Sequence, residues 1–149
     1  MIAATFSYQA VEAYSNQVVA EGIRNTHPVV RQGIEQQWPA AEIERRCSTE
    51  EKVGVILPQV TGVKSPKGLK KWERLLALKD LRDAAIHLKS VDQYARGKPS
   101  DQTLYFKLVN VDPTELPKTA IAVIKHFSDL PDGQEWLAGA EEQLRGNTT

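Results

Sequence analysis

The chain has 149 residues, and its 19 lysines and arginines balance 19 aspartates and glutamates, so the formal net charge is zero. That balance argues against bulk electrostatic binding of nucleic acid as the main task, while leaving room for a local basic groove. One cysteine, Cys47, excludes an intrachain disulfide, and three histidines without Cys-x-x-Cys or His-x-x-x-His spacing argue against zinc.

No metal and no cofactor is expected. No apolar run approaches the roughly 20 residues that cross a bilayer, and no charged segment followed by an apolar core opens the chain. A cytoplasmic protein away from the membrane is therefore expected, with one domain over 1–149 and its core within 4–127.

The first helix is predicted over 4–24, where Ala4, Tyr8, Val11, Ser15, Val18 and Val19 recur at helical spacing. Glu12 and Asn16 flank that face. Asn25-Thr26-His27-Pro28 reads as a turn, because proline lacks an N–H and restricts the residue before it. His27 is expected to be exposed there. Val29 to Trp38 reads as a short helix, on Val30, Ile34 and Trp38. Pro39 interrupts it, and Ala40 to Arg46 continues as helix. Arg45-Arg46 reads as a solvated basic pair, with a phosphate contact as the alternative.

Ser48 and Glu51 form a capping box that starts the next helix. It runs through Val53, Ile56 and Leu57 to Pro58, weakened at Gly54. Cys47, just before the cap, reads as a small half-buried residue and not as a nucleophile. A loop over 59–67 leads to the longest helix, Gly68 to Arg96, which Gly97 suits as a C′ residue. At about 100° per residue, Leu78, Leu81, Ala85 and Leu88 form one apolar stripe. Trp72, Leu75, Leu76 and Ile86 form a second. The helix should thus pack on the chain's own core and on a further helix or a second subunit.

Thr103 to Val111 has strand-like composition but no visible partner strand, and is predicted as a short helix. Leu116 to Phe127 is helical, with Pro117 in its first turn and His126 at its end, where an imidazolium suits the helix dipole. After a turn at Leu130–Gly133, Gln134 to Arg145 forms a last helix with Trp136, Leu137, Ala140 and Leu144 inward. The expected fold is all-α: an up-and-down bundle of about five to six helices around one long central helix.

The central helix carries a conflict. Leu81-Arg82-Asp83-Ala84-Ala85-Ile86-His87-Leu88 sets three polar groups in an apolar run, and buried helices exclude charge unless it is paired or used. Asp83 and His87 share a face. Arg82 lies about 140° from His87, within reach of one groove because its side chain is long.

Arg82-Asp83 followed by His87 resembles the Arg-x4-His signature of the HEPN domain family, and Glu12-Ala13-Tyr14-Ser15-Asn16 resembles that family's opening helix. The likeness covers about residues 5–127. It implies a HEPN-like bundle acting as a metal-independent endoribonuclease, with two motifs meeting across the two-fold axis of a homodimer. His87 would move protons, Arg82 would bind phosphate, and Asp83 would orient the ring or hold the other subunit's Arg82. Glu12 and Asn16 would support the groove, or else form a solvated edge.

Lys64, Lys67, Lys70 and Lys71 solubilise a loop, or guide an RNA backbone. Trp72 beside them reads as core or interface. RNA is the implied substrate, and an antitoxin or a nucleotidyltransferase is a possible partner. The competing expectation is a non-catalytic module for dimerisation and for binding nucleotide or a partner protein, with Arg82, Asp83 and His87 as a structural network.

Overall fold

The computed structural model describes residues 1–87 and 103–128, together with positions 139, 142, 143, 145 and 146. Helix α1, Ile2–Gly22, buries Ala4, Ser7, Tyr8, Val11, Ser15 and Val19, a stripe at spacings of three and four. The hydroxyl of Ser15 sits in that stripe because it donates to the Glu12 carbonyl at 2.8 Å. Most of the other elements pack on this helix.

The next segment corrects the expectation of a short helix over Val29–Trp38 and, with it, an all-α fold. Strands β1, His27–Arg31, and β2, Ile34–Trp38, pair antiparallel, with His27 opposite Trp38 and Arg31 opposite Ile34. Gln32 and Gly33 make the two-residue turn, both at positive φ (52° and 78°). Positive φ at both central positions gives the turn whose twist matches a hairpin. Val29 is buried between exposed Pro28 and Val30, the alternation of a strand. Pro28 fits because each strand of a two-stranded sheet is an edge. His27 therefore begins a strand and bonds Gln59 Oε1 at 2.8 Å.

Helix α2, Ala40–Arg46, starts directly after Pro39. The Ser48 hydroxyl then accepts the Glu51 N–H at 3.2 Å, as the capping box requires, and opens α3, Thr49–Glu51. Lys52–Ile56 follows as a π-helical turn and passes into α4, Leu57–Thr61. The helix does not stop at Pro58. That proline cannot donate to the Gly54 carbonyl, and the Ser65 hydroxyl donates to it instead at 2.7 Å. Gly54 has no room for a side chain, since a Cβ there would lie 2.6 Å from Lys67 Cε and 2.9 Å from Trp72 Cη2.

Helix α5 runs over Lys70–Ile86, with His87 as its C-cap in a non-helical conformation. The helix expected to reach Arg96 thus breaks at His87. Asp80 and Asp83 put negative charge near the negative end of the dipole, and no basic residue falls in the last turn. Leu75, Leu78, Leu81 and Ala84 are buried, Trp72 packs on the core, and Leu76 and Ile86 are exposed. Leu75 of the second stripe therefore joins the same core as the first.

Helix α6, Leu104–Val109, is capped by the Thr103 hydroxyl, which accepts the Phe106 N–H. Helix α7, Glu115–Phe127, follows a turn in which Asp112 accepts from the Thr114 N–H and hydroxyl at 2.9 and 2.7 Å. Its buried face includes Ala120, Val123, Ile124 and Phe127.

The stretches expected as the end of the long helix (Leu88 to Arg96), Gly97, the loop to Asp101 and the turn at Leu130–Gly133 lie outside the described residues. So does most of Gln134–Arg145, although its described positions are helical. No helix among the described residues is long and apolar enough to cross a membrane.

Candidate functional site

The last turns of α5 place the three motif residues differently. The Arg82 guanidinium lies over the ring of Tyr8 of α1, 4.2 Å from its centroid, and Nη1 donates to Asp83 Oδ1 at 2.8 Å. Its Nε is buried with no hydrogen-bond partner among the described residues. The other Asp83 oxygen lies 3.3 Å from Lys79 Nζ, which also reaches Glu50 at 3.6 Å. The hydrogen bond from Asp83 and then the Glu50 charge hold the Lys79 ammonium above its usual pKa.

The Tyr8 hydroxyl closes the circle by donating to Glu50 Oε1 at 3.2 Å. Burial raises its pKa, with Glu50 adding to the rise and hydrogen bonds at Thr49 and Arg82 opposing it. Four charged side chains of alternating sign, closed by Tyr8 and drawn from three elements, thus form one ring beneath the motif.

His87 stands apart from this ring. It is exposed, and its backbone N–H donates to the Asp83 carbonyl at 2.8 Å. With Asp80, Asp83 and Ala84 of α5 and Lys107 of α6 it lines an open cleft of about 460 Å³. Arg82 is not among the residues lining it. The structure therefore brings Asp83 to both Arg82 and His87, but turns Arg82 away from the cleft.

Glu12 and Asn16 serve a different group. Lys52 of the π-helical turn is 1% exposed. Its ammonium donates to Asn16 Oδ1 at 2.6 Å and to the Glu44 carbonyl at 2.8 Å. Burial lowers its pKa, against the opposing charges of Glu12, Cys47, Glu44 and Glu51. Nearby, Arg31 pairs through both guanidinium ends with Glu51 and reaches Cys47 Sγ at 3.3 Å. Cys47 is buried, and burial pushes its thiol pKa up, away from nucleophilic character. Arg31 and Arg46 both lie over the Trp38 ring, at 5.2 and 4.8 Å from its centroid. The Arg45-Arg46 pair is anchored by Glu42.

The lysine cluster gathers at the other end of α5, about 24 Å from His87 at 1.5 Å per residue. Lys71 Nζ bonds His126 Nδ1 at 3.2 Å, while His126 Nε2 donates to the Lys64 carbonyl at 2.7 Å. His126 thus ties the 62–68 loop to α5 and α7. The Lys67 stem packs at Gly54, with its ammonium 5.8 Å from the Trp72 ring centroid, and Lys70 is exposed.

Sequence reasoning missed Asp80, Lys107, Tyr8, Lys79 and Glu50. Asp80 was within reach of it, three residues before Asp83 and seven before His87 on one helical face. Lys107 comes from another element, and its arrival depends on how α6 packs. Among the described residues, no group of three or more His, Cys, Asp or Glu is placed to hold a metal ion.

The fold and site define a mostly helical protein with one small hairpin and an open His/Asp/Lys cleft. No family model, no curated protein and no solved structure matches the chain.

Proposed function

We propose that this chain is a HEPN-type domain that acts as a homodimer and cleaves RNA without a metal. The observation that carries the reading is His87, exposed at the end of α5 in a cleft it shares with Asp83. Metal-free cleavage uses the 2′-hydroxyl as nucleophile. A neutral imidazole takes the proton from that hydroxyl, and the oxygen attacks phosphorus to give a cyclic phosphate. An imidazolium then protonates the departing 5′-oxygen.

One chain supplies one such histidine, so the second role falls to His87 of a second copy. Exposed Ile86 and Phe106, the sequence neighbours of His87 and Lys107, offer apolar surface for that copy to cover. A toxin–antitoxin or defence setting in the cytoplasm suits such an enzyme, with an antitoxin or nucleotidyltransferase as the silencing partner.

Mixed RNA incubated with the protein in EDTA, beside His87→Ala, tests this. Fragments ending in cyclic phosphate or 3′-phosphate, lost in the variant, are expected. A protein that is strictly monomeric in sedimentation sinks the paired-histidine mechanism. A second reading, a non-catalytic interaction module, draws on the stacking of Arg82 on Tyr8 and its pairing with Asp83. It predicts no cleavage by a folded dimer and a loss of dimer on disrupting that ring.

A further inference from the structure

A cleft that cleaves RNA must neutralise the charge that grows on the non-bridging phosphate oxygens. The motif offers Arg82 for this, but the geometry does not. Arg82 is committed to the Tyr8 ring and the Asp83 carboxylate and does not line the cleft. We infer that Lys107, rather than Arg82, is the cation that meets the phosphate in this cleft. The inference rests on the ribonuclease reading for its consequence in turnover, while the phosphate contact itself is testable without cleavage.

Three observations place Lys107 for the task. It lines the cleft together with His87. It sits on a fixed helix, since Leu104 is buried, Leu108 packs on the core and Thr103 caps the first turn. Its stem is half-buried, and among the described residues its ammonium is drawn into no hydrogen bond or ion pair, unlike Lys79 or Lys71. A half-buried stem with an uncommitted ammonium at a cavity wall presents a point charge to a ligand.

The two carboxylates of the cleft weigh differently. Asp83 is compensated by Arg82 and Lys79, at 2.8 and 3.3 Å. Asp80 is exposed and, among the described residues, sits in no such pair. Among the described residues lining the cleft it is the carboxylate left uncompensated, and so the one that opposes an anion there. A phosphate held by Lys107 and a protonated His87 binds more tightly once Asp80 is neutral. A cation in the same place would bind more weakly.

The experiment follows the His87 ring resonances while inorganic phosphate is titrated into the full chain, and then a 2′-O-methyl RNA oligonucleotide that cannot be cleaved through its own 2′-oxygen. Both probes should move the ring signals. Lys107→Ala should weaken binding about tenfold, and Lys107→Arg should restore most of it. Asp80→Asn should tighten it about threefold.

The inference is overturned if neither probe moves His87, if Lys107→Ala binds as the wild type does, or if Asp80→Asn weakens binding. It is also overturned if the loss falls on Arg82→Lys and spares Lys107→Ala. Cleavage is scored separately. Lys107-dependent binding without cleavage leaves this inference standing and the ribonuclease reading fallen.

Discussion

Lys52 and His87 are two basic side chains in one small protein, and the chain treats them in opposite ways. Lys52 is sealed inside, its ammonium spent on Asn16 and the Glu44 carbonyl. His87 ends a helix in the open and, among the described residues, commits only its backbone. A buried charge with its hydrogen bonds filled belongs to the fold, because removing it leaves its partners stranded. An exposed group over a cleft costs the fold little and is free for a ligand. The family resemblance joined Glu12 and Asn16 to the second of these regions; the structure puts them in the first.

Stability separates the two regions most sharply. Lys52→Ala should cost about 3 kcal/mol, read from the urea midpoint, whereas His87→Ala should stay within about 0.5 kcal/mol. Equal losses would erase the distinction. The packing of the 62–68 loop and Trp72 on the π-helical turn is tested next by Gly54→Ala. Its added methyl meets the Trp72 ring and the Lys67 stem, and overpacking of this kind costs about 2 kcal/mol. A neutral result would mean that the 62–68 loop yields easily.

The hairpin gives a smaller effect. Gly33 sits at φ 78°, so Gly33→Val should cost about 1–2 kcal/mol. No change would remove the positive-φ turn as the reason for the hairpin. Tyr8→Phe deletes the hydroxyl bond to Glu50 and keeps the ring under Arg82. About 1 kcal/mol is expected, and a far larger loss would show that the ring of charges beneath the motif is itself a structural centre.

These contrasts show what the residues alone could reveal. Helices α1 and α7 were legible because their buried positions repeat at helical spacing and depend on nothing distant. The Ser48 N-cap was legible from local spacing too, although the Glu51 carboxylate that the capping box would send back to Ser48 pairs with Arg31. The hairpin was not, because Val30, Ile34 and Trp38 also fit a four-residue period, and Gln32-Gly33 is a weaker turn signal than Asn-Gly.

At the site, the helical relation of Asp83 to His87 could be read. The direction of Arg82 could not, since a guanidinium on a long stem goes where a partner waits, and that partner, Tyr8, is 74 residues earlier in the chain (82 − 8). Asn16 and Lys52 were likewise brought together by packing between α1 and the π-helical turn, which no local pattern announces.

The smallest and most specific contrast is in pH. Burial lowers the pKa of Lys52 below its ordinary 10.5. The folded chain therefore gives up this proton before the unfolded chain does. Between the two values the unfolded state binds more protons, so this group makes stability rise with pH. Tyr8 works the other way. Burial raises it above its ordinary 10.0, so its contribution is full below 10.0 and is lost as pH rises through the folded value.

In the wild type the two slopes oppose each other at alkaline pH. Lys52→Met removes only the rising one. Its stability, followed by urea unfolding from neutral to strongly alkaline pH, should therefore fall more steeply than that of the wild type. Tyr8→Phe should fall less steeply. Parallel curves for Lys52→Met and the wild type would mean that the buried ammonium holds its proton as tightly as one in water. The charges of Glu12, Cys47, Glu44 and Glu51 would then fully offset the effect of burial.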